Sequence, residues 1–265
     1  MNTNADQQHR AWQVVRALAA CTWLEAVRSR WSAILAIGIL FVFAVAAFIG
    51  AWALVEREQV VLAITAPLTR LFAISVVALV TISAVVREFN DRSIMLTLAA
   101  PISRATWILG KTLGFSLIAV VTAFALSLPL IILAPTLATV LWAVSLALEL
   151  IVLVSAAILI ACVLRQIPAA VLTLMSFYLL ARLIGVLLLI AERAPYETSA
   201  QVNSLNLGFL KLLSALLPRL DLFTQSIWLF EAVPIAVLWP VLIQSLLYCG
   251  LLWLIALLDF SGAEV

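Results

Sequence analysis

The chain has 265 residues, of which 66% are hydrophobic and 11% charged, with a formal net charge of +2 and a mean hydropathy of +1.23. Soluble domains are about 45–50% apolar and about 25% charged, so this composition excludes a soluble domain. His9 is the only histidine, and Cys21, Cys162 and Cys249 fall in or beside apolar stretches. Histidine-based metal sites and serine–histidine catalysis are therefore disfavoured.

Six stretches are long enough to cross a bilayer, since a spanning helix needs roughly 20 mostly apolar residues. They cover about 32–54, 67–86, 109–133, 138–163, 168–191 and 235–258. The sequence predicts an all-α polytopic membrane protein in which residues 1–265 form a single transmembrane domain. The distribution of Lys and Arg among the loops favours cytoplasmic N- and C-termini.

The N-terminal segment precedes the first span. Met1 to Arg10 is polar and lacks a cleavable signal pattern, so the first span is expected to remain part of the protein and not to be cleaved off. Residues 10–31 predict an amphipathic helix, because apolar side chains such as Trp12 and Trp23 recur at helical spacing. Such a helix would lie along the cytoplasmic membrane face. It would either anchor the first span or take part in motion.

A charged segment at 87–104 separates the second and third spans. It is too polar to enter lipid, and because a span holds each of its ends, a push on it would move both spans. We interpret it as a docking surface for a cytoplasmic partner; the alternative is a solvated loop. Its candidate contact residues are Arg87, Glu88, Asp91, Arg92, Pro101 and Arg104. The positive-inside rule explains the arginines but not the interleaved acidic residues.

Residues 105–112 match a loose phosphate-loop pattern. A phosphate loop needs flexible glycines after a buried strand, whereas bulky side chains such as Trp107 fill this one and a span follows directly. Any ATP must therefore be hydrolysed by another chain. Gly110 and Gly114 form a small-residue pair that permits close helix packing, either within the chain or in a dimer.

Two ionisable residues lie well inside predicted spans, Glu149 in the fourth and Arg182 in the fifth. At 1.5 Å per residue they lie about 16 Å and about 14 Å below the outer ends of those spans. Because the depths match, we predict an ion pair between adjacent antiparallel helices. It would serve as a structural clamp or as polar lining of a substrate path. This scarcity of charge disfavours proton-coupled transporters, and the apolar spans disfavour a channel.

The long outer segment at 192–234 holds an apolar block at 205–220, interrupted by Lys211, Pro218 and Arg219. The block is too short to span the membrane. It predicts one or two helices that dip into the outer leaflet, either as a lid over the bundle or as a shield for the spans.

Taken together, these features resemble a permease of the type-2 ABC exporter family, and most closely its branch described as involved in multi-copper enzyme maturation. The resemblance covers the layout of the whole chain: six spans, the preceding amphipathic helix and the enlarged last outer loop. Its motif-like residues are Arg87-Glu88, Asp91-Arg92-Ser93, Ala100-Pro101-Ile102-Ser103-Arg104 and Leu109-Gly110-Lys111.

The resemblance implies a non-catalytic transmembrane subunit in a bacterial inner membrane. Its partners would be two copies of a cytoplasmic ABC ATPase, a second and usually identical permease, and membrane lipid, with no nucleic acid. ATP and Mg would be bound by the ATPase, and this chain would hold no cofactor. The first, second and fifth spans would line the homodimer interface.

In such a permease, segment 87–104 would be the coupling helix seated in the ATPase, with helix 10–31 beside it. Glu88, Asp91 and Arg92 would contact the ATPase, and Pro101 and Arg104 would set the turn back into the membrane. The alternative function is a non-transporting scaffold or assembly factor that recruits a cytoplasmic partner through the same segment.

Overall fold

The computed structural model describes residues 3–53, 56–91, 104–193, 207–214, 217–230 and 234–262, and within these ranges the chain contains helices and no strand. The long helices are α1 (Thr3–Arg28), α2 (Trp31–Trp52), α3 (Arg57–Asn90), α4 (Arg104–Leu133), α5 (Leu137–Leu164), α6 (Ile167–Arg193) and α7 (Leu238–Gly262). Helices α2 to α7 are each long and apolar enough to cross a membrane. The all-α polytopic fold class is therefore confirmed.

Helix α3 is longer than the predicted second span, because it begins at Arg57 rather than near residue 67. Residues 57–66 contain no glycine or proline, and Pro67, which usually ends or kinks a helix, lies inside α3 without ending it. The 34 residues of α3 extend about 51 Å, well beyond a hydrocarbon core of about 30 Å. One continuous helix thus joins the two ends of the bundle.

Helix α5 lies at the centre and packs against α3, α4, α6 and α7. Its sequence is mostly apolar, which fits the helix that buries the largest share of its residues among the spans. Trp142, Leu146 and Leu150 are completely inaccessible. Helices α2, α6 and α7 lie at the periphery, and their exposed faces carry large apolar residues of the kind that face lipid.

The N-terminal helix differs from the predicted segment 10–31 in its bounds, and it buries only part of the predicted apolar face. It ends at Arg28, and a turn at 29–30 separates it from α2. It packs along α4 over an interface as extensive as that between α4 and α5. Its buried residues include Val15 and Ala26, whereas Trp12 is 62% exposed. The position of α1 relative to the membrane face stays a prediction.

The two glycines of α4 explain this close packing. A Cβ added at Gly110 would lie 2.7 Å from Leu18 Cβ, and one added at Gly114 would lie 2.7 Å from Thr22 Cβ. Further along, Trp31 Nε1 donates to Thr122 Oγ1 at 3.3 Å. Residue numbers therefore increase together along the two chain segments, from Leu18 and Gly110 to Trp31 and Thr122, so α1 runs parallel to α4 and beside it. The described chain therefore uses the glycine pair for intramolecular packing.

We expect Gly114→Ala to destabilise the protein, because the new Cβ would press on Thr22 Cβ and, at 3.2 Å, on Ala19 Cα, neither of which can rotate away. Overpacking typically costs about 1–3 kcal/mol, which offsets the gain of about 1 kcal/mol that alanine brings to a helix. Gly250→Ala is the matched control, since nothing lies within 4 Å of its added Cβ. Thermal unfolding in detergent compares the two variants. A Tm that rises equally in both would contradict the close α1–α4 contact.

Candidate functional site

Residues 217–230 enter the bundle at the end opposite the N-terminus. They form two short 3-10 turns, Leu220–Leu222 and Ser226–Leu229, and a helical segment at 207–214 precedes them. The side chains of Leu220 and Phe223 are fully buried, and Trp228 is 4% exposed. We call residues 217–230 the inserted segment. Its burial fits a lid seated among the helices better than a shield on their outer surface.

Because this segment is too irregular to pair its own backbone groups, the helices provide the partners. Arg182 Nη1, on α6, donates to the carbonyl oxygen of Leu220 and, at 2.7 Å, to that of Phe223. One guanidinium thus satisfies two backbone acceptors in the apolar interior. Arg182 is a direct anchor of the inserted segment.

Thr224 is held from three sides. Its amide donates to Ser145 Oγ at 3.0 Å, and its hydroxyl donates to Glu149 Oε2 at 2.7 Å. Its carbonyl oxygen accepts from Arg70 Nη1 at 3.3 Å. The φ angle of Thr224 is 44°, which is unusual for a β-branched residue. Contacts with α3 and α5 hold this residue in a conformation that local preference disfavours.

The structure brings Glu149 and Arg182 together, with Oε1 and Nη1 3.7 Å apart. At this distance the charges attract but form no hydrogen bond. Arg182 directs its donors to the inserted segment, and the other oxygen of Glu149 accepts from Thr224. The Glu149 side chain is completely inaccessible, so the nearby guanidinium groups must offset the cost of burying its charge. The pair therefore clamps the inserted segment as well as two helices.

The polar groups around Thr224 form a buried cluster between α3, α5 and α6. The Glu149 carboxylate lies near the guanidinium groups of Arg70 and Arg182, and the Tyr178 hydroxyl lies beside it. These side chains meet the inserted segment in an interior that is otherwise mostly apolar. We therefore treat Arg70, Glu149, Tyr178, Arg182 and Thr224 as a candidate functional site, the Thr224 cluster.

The N-terminal end of the bundle holds the candidate coupling residues. Arg87 and Glu88 belong to the last turn of α3 rather than to a loop, Asp91 follows directly, and Arg104 begins α4. Predicted residues Arg92 and Pro101, with the rest of 92–103, lie outside the described residues. The boundary differs from the sequence prediction because the helical pattern continues through the charged residues to Asn90.

Glu88 forms an ion pair with Lys111 on α4. The Lys111 side chain is only 7% exposed, so the ammonium depends on this carboxylate for neutralisation. Glu88 therefore has a structural partner within the chain, a use that the sequence analysis did not foresee. Arg87 and Asp91 are both exposed and form the accessible charge at the end of α3.

Aromatic contacts reinforce the same junction. Phe89 meets Trp107 edge to face with ring centroids 6.3 Å apart, and the Arg165 guanidinium lies 5.1 Å from the centre of the Phe89 ring. Trp107 is 1% exposed. The ends of α3 and α4 and the residue that follows α5 are thus joined directly. A force on either end of residues 91–104 would therefore act on helix ends that are packed against each other.

Within the described ranges, no group of three or more His, Cys, Asp or Glu side chains could hold a metal ion. No protein-family model matches the chain, and no curated protein matches it.

We expect Glu149→Leu and Arg182→Leu each to destabilise the protein by about 3–5 kcal/mol, the cost of leaving one buried charge unpaired. The double variant should cost less than the sum of the two, because neither charge then remains. Arg182→Leu should cost more than Glu149→Leu, since it also removes the donors to Leu220 and Phe223.

Thermal unfolding of the four proteins in one detergent measures this coupling. Arg219→Leu is the control: Arg219 pairs with Asp221 at 3.1 Å, but its side chain is 48% exposed, so its loss should cost no more than about 1 kcal/mol. Strictly additive losses at Glu149 and Arg182 would contradict their electrostatic pairing.

Proposed function

We propose that this membrane protein is the transmembrane permease subunit of an ATP-driven ABC exporter. In this proposal the protein lies in a bacterial inner membrane with both termini in the cytoplasm. It pairs with a second copy of itself and with two cytoplasmic ATPase subunits, which bind the ATP and Mg. The chain itself performs no chemistry. It moves a substrate outward, and ATP hydrolysis by its partners drives that movement.

The observation that carries the proposal is the junction at the ends of α3 and α4. The Glu88–Lys111 pair and the Phe89–Trp107 contact tie these helices together on either side of residues 91–104. A partner bound to that segment would therefore displace two spans as a unit. A motor outside the membrane needs a rigid attachment of this kind, because a flexible loop would move without displacing the spans.

Helix α3 supports the proposal further because it connects this junction with the Thr224 cluster. Arg70 and Glu88 lie on the same helix, about 27 Å apart at 1.5 Å per residue. The helix carries neither glycine nor proline between them. Since Arg70 donates to the Thr224 carbonyl, a shift of α3 at its cytoplasmic end would alter a contact that seats the inserted segment.

In the mechanism that we propose, ATP binding closes the two ATPases and moves the segments at 91–104. Helices α3 and α4 then shift together, and α1 moves with α4 because it packs on Gly110 and Gly114. At the outer end, the altered Arg70–Thr224 contact releases the inserted segment from the bundle. Nucleotide thus biases an element with two arrangements, seated and released.

A membrane scaffold that recruits a cytoplasmic partner through the same junction is the second candidate function. The extensive burial of α1 against α4 favours it, because a static platform would also benefit from a rigid cytoplasmic end. The two functions differ in the partner and in the effect of nucleotide, and the following experiments separate them.

We expect the chain, purified from its native membrane in mild detergent, to carry an ATPase in a two-to-two complex. Reversing the exposed charges with Arg87→Glu and Asp91→Lys should remove the ATPase without unfolding the bundle, because neither side chain is buried. Glu88 is avoided, since its loss would strand Lys111. Glu192→Lys, exposed at the opposite end, is the control. Mass spectrometry with stoichiometry gives the readout, and an intact complex without an ATPase would favour the scaffold.

We also expect a non-hydrolysable ATP analogue, added to the complex, to change the rate at which trypsin cleaves after Arg219 in the inserted segment. Arg70→Met should abolish the nucleotide effect while leaving the ATPase bound, since Arg70 is the contact of α3 with Thr224. Peptide mapping measures cleavage at Arg219, with cleavage at Arg16 on α1 as the internal control. The same nucleotide effect in both proteins would contradict transmission through α3.

A further inference from the structure

A crevice of about 380 Å³ opens between α2 and α3 at the end opposite the N-terminus, apart from both regions described above. Its walls are apolar: Phe43 and Ala46 from α2, Val61 and Leu62 from α3, and Leu133 from the end of α4. Arg57 and Glu58, the first two residues of α3, lie at its mouth. The crevice thus combines an apolar interior with two opposite charges at the rim.

The local sequence explains this arrangement. Small side chains at 46 and 47 leave room on α2, and Gly50 lets Arg57 fold across that helix, since an added Cβ would lie 2.9 Å from Arg57 Nε. Glu56, the residue just before α3, has a φ angle of 48°. Both charged side chains therefore lie at the start of α3, beside the apolar residues of α2 that line the crevice.

Arg57 and Glu58 are exposed, and neither forms an ion pair with another described residue. A ligand that satisfies both needs an anionic group, a cationic group with N–H donors, and an apolar tail beneath them. We propose that the crevice binds one acyl chain of a phospholipid with a phosphoethanolamine headgroup, whose phosphate contacts Arg57 and whose ammonium contacts Glu58.

The volume of the crevice and the apolar surroundings of lipid tails further narrow the choice of ligand. A volume of about 380 Å³ lies at the lower end of the range for small-molecule pockets, which suits one chain rather than a whole two-chain lipid. Lipid tails are already in an apolar medium, so burying one in the crevice adds little driving force. Selectivity must therefore come from the headgroup, and it should be independent of chain length. The proposal does not depend on the ABC transporter function.

The test uses native mass spectrometry of the full chain titrated with phosphatidylethanolamine, phosphatidylcholine or phosphatidylglycerol of identical chains. We expect phosphatidylethanolamine to be retained about two- to fivefold more than either competitor, the range for one exposed charged contact. Phosphatidylcholine keeps the phosphate but lacks ammonium donors, and phosphatidylglycerol has no cation to offer Glu58.

Glu58→Gln should abolish this preference, and Arg57→Gln should weaken the retention of all three lipids. Glu192→Gln is the matched control, an exposed glutamate at the same end of the bundle that should leave the preference unchanged. Ala47→Leu should reduce retention by filling the crevice from an exposed position. Equal retention of the three lipids, or the same response in the Glu58 and Glu192 variants, would overturn the proposal and indicate ordinary annular lipid.

Discussion

The buried carboxylate of Glu149 is the constraint on which the end of the bundle opposite the N-terminus depends. It lies on the central helix, where an unneutralised charge costs several kcal/mol. Arg182 offsets that cost with its charge and Thr224 with a hydrogen bond, and both residues also attach the inserted segment to the bundle. The segment is therefore part of the solution to a charge-burial problem. Seating the segment and neutralising Glu149 therefore use the same side chain, Arg182.

Hydropathy and helical rise were sufficient to predict the six spans, because each apolar stretch matches the thickness of a bilayer. The same rise placed Glu149 and Arg182 at one depth, and the structure brings them within 3.7 Å. Arg70 and Thr224 could not be found in this way. Their contact joins residues 154 positions apart through an irregular segment whose insertion leaves no periodic signal.

The junction of α3 and α4 shows a different limit of sequence-based prediction. The polarity of 87–104 predicted a loop, but α3 continues to Asn90 and α4 begins at Arg104. Lys111 falls at the start of the predicted span 109–133, and the sequence does not indicate that it is buried beside Glu88. Composition reports that a charge is present but not whether another element will neutralise it. Charge pairing between helices therefore has to be read from the packing.

The two ends of α3 differ in a way that bears on where movement occurs. At Glu88 the charges are paired and ring contacts close the junction, so separating α3 from α4 there would break several favourable contacts at once. At Thr224 the φ angle of 44° is unfavourable for a β-branched residue, so the contact of α3 with the inserted segment is held against local backbone preference. Of these two contacts of α3, the one with Thr224 would therefore break more readily than the junction with α4. Helix α3 thus has a firmly packed junction at one end and a more easily broken contact at the other.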